Sequence, residues 1–413
     1  MNNRVVITGM GVVSPVGNDL TTYWNNLKNG VCGIKELPED RRVEGLNVFV
    51  AGLVTDLDVE KYIDRKEQRR IATFSQYAIY ASKEALTDSK LDMEKEDPTR
   101  VGVIIGSGVG ALGNIEEEAL KLRDKGPKRV SPFFVPMTIV NMAAGNVSIY
   151  TGAKGICSTV VTACATGTHA IGEAFYALKN GINDVIMAGG AESCITPLGM
   201  AGFNALTALT NTTDPNRASI PFDKERSGFV MGEGAGVLVM ETLEHAKNRG
   251  AHIYAEVVGY GATGDAYHIT SPSPDGEGAA RAMKLALDGA NIEPSEIDYI
   301  NAHGTSTPYN DKTETLAMKL VFGEDTKVAI SSTKSMTGHL LGAAGGIEAI
   351  AIAKALEDGF IPATIGYQVE DENCSLNYVP NVGIEQNVKY AMSNSLGFGG
   401  HNASIIFKKW EDQ

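Results

Sequence analysis

Val160-Val161-Thr162-Ala163-Cys164-Ala165-Thr166-Gly167-Thr168-His169-Ala170-Ile171-Gly172 joins two kinds of pattern. A β-branched, apolar run over 159–162 stops at a cysteine. Small residues follow, and helical spacing continues over about 169–179. The pattern predicts a strand that turns sharply into a helix, with Cys164 at the turn. A helix N-terminus presents unpaired N–H groups and the positive end of the dipole, so a thiol there is expected to have a lowered pKa. Taken alone, Cys164 reads equally as a nucleophile and as a small buried residue at a strand end, as most free cysteines are.

The same design returns later in the chain. Residues 328–338, ending Thr333-Lys334-Ser335-Met336-Thr337-Gly338, echo 158–167, and both segments lead into alanine-rich helices. Val257-Val258-Gly259-Tyr260-Gly261 echoes Ile7-Thr8-Gly9-Met10-Gly11 and its approach. Asp298-Tyr299-Ile300-Asn301-Ala302-His303-Gly304 echoes 101–108. Three matches in the same order point to an internal duplication. Strands alternate with helices in each half, so the fold class is α/β. We read a first half over 1–253 and a second over 254–413, in one compact unit. Two related halves would bring equivalent strand ends together, and sites in open α/β sheets sit at the carboxyl ends of strands.

Other elements follow from local pattern. Strands are expected near 4–8, 100–105, 184–188 and 229–240. Helices are expected near 19–29, 61–70, 73–88 and 138–150, with a loop-rich insertion over 196–228. Gly106-Ser107-Gly108-Val109-Gly110-Ala111 after a strand imitates a dinucleotide fingerprint. No second strand ending in an acid follows within 114–130, so we set a nicotinamide or flavin site aside.

Composition narrows the classes. A formal net charge of −14 speaks against general nucleic-acid binding. Five widely spaced cysteines with no CxxC pair give neither a disulfide framework nor a structural zinc site, and they suit a reducing compartment. No apolar run approaches the ~20 residues of a membrane span, and the chain starts without a signal peptide. Cytoplasmic is the expected location, with no membrane insertion and no metal site.

The strand-to-turn junctions carry Cys164 in the first half. In the second they carry His303 in Asn301-Ala302-His303-Gly304-Thr305-Ser306-Thr307, Lys334, His339, and Phe398 in the last glycine turn. A lone histidine is usually a packing residue; two at loop ends that converge with a cysteine favour function. These stretches, with "STKSMTGHLLGAAGGIEA" and "NSLGFGGHN", closely resemble the elongating β-ketoacyl-acyl carrier protein synthases of dissociated fatty-acid synthesis, of the synthase II type, over essentially the whole chain.

The resemblance implies the thiolase fold: two duplicated βαβαβαββ halves forming a five-layered α-β-α-β-α structure, typically as a homodimer. It implies that Cys164 holds the acyl chain as a thioester and that His303 and His339 stabilise the enolate formed when malonyl carrier protein loses carbon dioxide. The N–H groups of Cys164 and Phe398 would form a second oxyanion hole, with Phe398 as a mobile gate. Lys334, with Glu348, would organise the surroundings of His339. Thr305, Thr307 and Thr270 would bind the phosphopantetheine arm, which arrives with the carrier protein, so no resident cofactor is expected. Val109 and Phe134 would lie at the far end of the acyl pocket. The partner would be an acidic acyl carrier protein, docking on Lys61, Arg65, Lys66, Arg69 and Arg70 with Lys125, Lys128 and Arg129. Thr207 stands where relatives often carry a basic residue. A polyketide ketosynthase subunit and a noncatalytic chain-length partner are the alternatives; the latter characteristically lacks the nucleophile.

Overall fold

The computed structural model describes residues 3–411. Ten strands form one mixed sheet: β1 Val5–Val13, β2 Val101–Gly106, β3 Cys157–Ser158, β4 Val185–Glu192, β5 Gly234–Thr242, β6 Ala255–Gly264, β7 Tyr299–Asn301, β8 Ala329–Ser331, β9 Tyr390–Gly397 and β10 His401–Lys409. Their order across the sheet is β8-β7-β9-β10-β6-β1-β5-β4-β2-β3. Reading outward from the centre, β1-β5-β4-β2-β3 and β6-β10-β9-β7-β8 have the same chain order and the same parallel and antiparallel pairings. The two sets join edge to edge through β1 and β6, with Val5 opposite Val257 and Ile7 opposite Ala255. The three sequence echoes fall on corresponding strands.

Helix composition decides the layers. In α3 (Thr166–Lys179) and α7 (Ala344–Asp358) nearly every residue is buried. A helix that is apolar all round belongs inside, and these two form the middle layer. They share one core with strands of both halves, including Ile7, Ile186, Ala391 and Ile405. In α5 (Glu277–Ala290) only one face is buried, through Ala279, Ala282, Met283 and Ala286. With α6 (Pro308–Phe322) it covers the outer face of the second half. On the first half, α1 (Thr73–Ser89) and α2 (Met142–Thr151) do the same. The result is the expected α-β-α-β-α stack.

The middle helices meet closely. A Cβ on Gly167 would lie 2.8 Å from Gly346 N and 3.0 Å from Gly342 O, and one on Gly345 would collide with the backbone of Thr168. Only glycine lets the two backbones approach this far.

Several elements differ from the sequence expectation. The strand before Cys164 is Cys157–Ser158, not 159–162. The Thr159 hydroxyl donates to Ile105 O, taking the acceptor a continued ladder would use. Thr162 N then donates to Thr166 Oγ1 at 2.9 Å, so the run bends into the helix, which starts at Thr166. The strand expected from 229 begins at Gly234. The basic segment 61–70 is α-helical only at Arg65–Gln68, with Lys61 closing a 3-10 turn ahead of it. Within 196–228 lies a helix, α4 (Pro197–Ala205), with Pro197 in its first turn and Thr196 Oγ1 accepting from Gly199 N at 3.1 Å. No described helix is long and apolar enough to cross a membrane.

Candidate active site

Cys164 sits in a tight turn, Ala163–Ala165, just ahead of α3. Ala163 has φ +51°, a left-handed conformation that costs a non-glycine residue energy. Thr162 holds the bend from both sides: its N–H donates to Thr166 Oγ1, and its hydroxyl pairs with His169 Nδ1 at 2.8 Å. This strained elbow projects the thiol into a cavity of about 290 Å³.

The same cavity is lined by His303, His339, Phe398, Thr270, Thr305 and Thr307, so residues from both halves converge on it. His303 follows β7. Its backbone N–H and that of Gly304 donate to the two oxygens of Glu314 at 2.7 and 2.8 Å. His339 is fixed by its own backbone, with N donating to Val230 O at 2.7 Å and O accepting from Gly232 N at 2.8 Å. The two rings meet edge to face with centroids 5.2 Å apart. His303 Nδ1 and both ring nitrogens of His339 are buried without a hydrogen-bond partner. Unpaired buried nitrogens are costly and mark places where a ligand supplies the missing bond.

Lys334 does not line the cavity. It lies behind the histidines, 1% exposed, with Nζ paired to Glu348 Oε1. Burial first, then the nearby Lys334 charge, holds both imidazoles well below their ordinary pKa. Both rings are therefore neutral near pH 7 and each keeps one N–H to donate.

The thiol corrects the sequence expectation. Burial pushes Cys164 up to about 12, against the pull of Lys334 and of the backbone N–H groups of Phe398 and Cys164; Glu192 adds to the rise. A helix terminus offers a charge about 0.3–1 kcal/mol, less than the ~1.4 kcal/mol of a single pKa step, so burial wins. Iodoacetamide labelling of Cys164 in the free protein is accordingly expected to climb about tenfold per pH unit through pH 10 without levelling off. A plateau near neutral pH would show a thiolate.

Thr305 and Thr307 face one another at 3.0 Å between hydroxyl oxygens. Their loop is braced by groups the sequence did not single out. Asp311 accepts from Thr305 N at 3.0 Å, and buried Arg226 donates to Thr307 O at 3.3 Å and to Asp371 at 2.6 Å. Phe398 stands in a glycine turn where Gly399 and Gly400 have φ +87° and +74°. Its ring lies 6.4 Å from that of Phe203 on α4. Val109 and Phe134 do not line the cavity; Val109 packs in an apolar cluster with Cys164, Met200 and Leu341.

The basic residues divide. Lys61 pairs with Glu84 at 2.6 Å, Arg65 with Glu60 at 3.9 Å, and Arg70 with Glu67 at 3.3 Å. Arg70 also covers the Phe133 ring at 4.9 Å. Lys66, Arg69, Lys125, Lys128 and Arg129 have no ion pair among the described residues. Thr207 is exposed on the cavity rim with φ +53°. No group of three or more His, Cys, Asp or Glu able to hold a metal occurs among the described residues.

Comparison with known proteins agrees with this geometry. The chain is 54% identical over 411 residues to 3-oxoacyl-[acyl-carrier-protein] synthase 2 of Staphylococcus aureus (strain COL), with 99% of each chain covered. It is 48% identical over 410 residues to the protein of that name from Synechocystis sp., covering 99% of this chain and 98% of that one. A chain of the AntDE:AntF structure, a type II PKS acyl-carrier protein in complex with its ketosynthase bound to the hexaketide, superposes with a TM-score of 0.93 at 37% identity over 100% of both chains. A beta-ketoacyl synthase from Burkholderia phymatum gives 0.92 at 36%, over 99% of this chain and 100% of that one. Residues 2–246 match the family model of the beta-ketoacyl synthase N-terminal domain, and residues 254–368 match that of its C-terminal domain. Matched in order by both domains, the chain belongs to the β-ketoacyl synthase family.

Proposed function

We propose that this chain is a 3-oxoacyl-[acyl-carrier-protein] synthase of fatty-acid elongation, working by decarboxylative Claisen condensation. The observation that carries the reading is the meeting of the Cys164 thiol with two neutral, hydrogen-bond-deficient histidines on one cavity wall. In the first step Cys164 Sγ attacks the acyl thioester. A new S–C bond forms, the carrier's S–C bond breaks, and the thiol proton ends on the released pantetheine sulfur. In the second step malonyl carrier protein loses carbon dioxide. His303 and His339 donate to the thioester oxygen as enolate charge develops. The enolate carbon then attacks the acyl carbonyl, whose oxygen is received by the N–H groups of Cys164 and Phe398. Collapse takes up a proton and returns the Cys164 thiol, leaving a 3-oxoacyl chain two carbons longer.

In this reading Lys334 keeps the histidines neutral from behind. Thr305, Thr307 and Thr270 hold the pantetheine arm along the cavity, and Phe398 gates the acyl side. The arm comes with the acyl carrier protein, the partner of both steps, so no resident cofactor is invoked. The unpaired cations Lys66, Arg69, Lys125, Lys128 and Arg129 are the remaining basic dock for that acidic partner. Residues 1–253 and 254–413 act as duplicated halves, one holding the acyl group and the other decarboxylating. The enzyme is read as cytoplasmic, in keeping with five cysteines that all stay free. Identity favours the fatty-acid reading over a polyketide subunit, 54% against 37%. Cys164 at the elbow argues against a noncatalytic chain-length partner.

A homodimer belongs to the same proposal. The β8 edge of the sheet is covered, since Ile330 N donates to Asn377 O at 2.9 Å. The β3 edge is open, with Cys157 and Ser158 exposed and Ile149, Ile182 and Val161 uncovered around it. Open edges invite pairing, and a twofold partner would close this one. Native mass spectrometry after incubation with acyl carrier protein tests both parts. The expected species is a dimer of the 43.8 kDa chain with an acyl mass on the Cys164 peptide. An acyl group on another residue, or none, overturns the assignment.

A further inference from the structure

Among the buried carboxyl groups that the steps above do not use is Glu192. Glu192 ends β4 with 0% exposure. It accepts from Ser107 Oγ at 2.7 Å, Gly108 N at 2.8 Å, Gly110 N at 3.1 Å and Val109 N at 3.2 Å. It also accepts from Gly342 N at 3.0 Å. The first four donors come from the glycine loop after β2, the stretch that imitates a dinucleotide fingerprint. The last comes from the turn Leu341–Ala343 ahead of α7, in the other half. Successive N–H groups of a glycine loop form a cradle for an anion. Here the chain's own carboxyl group fills it: burial pushes its pKa up, the bonds from Ser107, Gly342, Gly108 and Val109 pull it down, and such bonds are roughly twice as strong to the ionised form as to a neutral one.

The cradle lies directly behind the nucleophile turn. A Cβ on Gly108 would come 3.0 Å from Ala163 O, and one on Gly342 would come 2.8 Å from Glu192 Oε2. Val109 and Leu341, one residue from these contacts, both pack in the apolar cluster that contains Cys164, Ile195 and Met200. Glu192 therefore ties together two backbone segments whose side chains pack in the same apolar cluster as Cys164.

We propose that Glu192 is a positioning residue: it clamps the 107–110 loop to the 341–343 turn and thereby fixes the wall against which an acyl chain on Cys164 lies, and with it the range of chain lengths accepted. This rests on Cys164 being the acylated residue. Val109 and Leu341 do not line the cavity at Cys164, so a short chain stays within that cavity, whereas a longer one must enter the cluster these two side chains help to form.

The test is single-turnover acylation of Cys164 by carrier proteins bearing short or long acyl chains, read by intact mass in the full-length protein. Glu192→Gln keeps the size but removes the charge and points an NH₂ at N–H donors. Its long-chain acylation is expected to slow by about tenfold or more, the scale of hydrogen bonds to a charged group, with much less change for short chains. Ser107→Ala removes one donor and leaves the backbone cradle; it is expected to move the same long-to-short ratio by about threefold. It decides the matter where Glu192→Gln does not fold. An unchanged ratio in folded variants, or an equal loss at every chain length, overturns the proposal. Wild-type protein that takes no acyl group on Cys164 at any length sinks the functional reading instead, so the two failures are distinct.

Discussion

Cys164→Ala is expected to lower condensation on the order of 10⁶-fold, the scale on which removal of a catalytic nucleophile is felt. The substitution deletes one atom from a side chain that is 8% exposed and held in an apolar cluster. Its effect on stability is about 1 kcal/mol, so the fold persists. The cavity mouth, with Thr270, Thr305 and Thr307, is untouched, and binding of carrier protein is expected to survive. In the proposed mechanism, loss of the sulfur removes the acyl-enzyme, and covalent catalysis has no first step. Condensation retained by the alanine variant, measured as 3-oxoacyl product, would remove Cys164 from the mechanism.

His303→Ala or His339→Ala is expected to slow loss of carbon dioxide from malonyl carrier protein by ~10²–10³, the usual effect of deleting one oxyanion donor. Acyl transfer to Cys164 is expected to suffer far less, because the oxyanion donors proposed for it are the backbone N–H groups of Cys164 and Phe398. Each ring is neutral through burial and Lys334, so it donates without carrying charge. His339 also packs edge to face on Phe229 at 5.3 Å, so its removal leaves a hole beside the cavity. A melting curve separates that loss from chemistry. Equal slowing of both half-reactions would assign the histidines a structural part.

Much of this architecture is visible in the chain because its marks are local and repeated. Glycine pairs recur inside β1 and β6, glycine turns after β2 and the nucleophile segment recur after β7 and β8, and the sheet order repeats with them. Cys164, His303 and His339 stand out because each lies in a turn of small residues after a run of strand-like composition. Other features depend on partners far along the chain. Residues 159–162 have strand composition, yet the Thr159 hydroxyl and Thr166 Oγ1 draw them out of the ladder. Glu192 looks like an ordinary strand end until Gly342, 150 positions away, is placed beside it. Arg226 lies in a loop and Asp311 in the first turn of α6, and only folding shows that they brace Thr305 and Thr307. The pKa of the thiol depends on how much water the whole molecule excludes, a quantity absent from any short stretch.

The glycine contact between α3 and α7 also limits how such proteins can be recombined. Gly167 lies three positions after Cys164, and Gly345 lies six after His339. At 2.8 Å from Gly346 N, even a methyl group on Gly167 would drive the helices apart and carry the thiol away from the imidazole. A chimera that takes each half from a different relative must therefore keep both faces of this seam as a matched set. Random drift on either helix is visible to selection through the other, and the two halves are bound to change together.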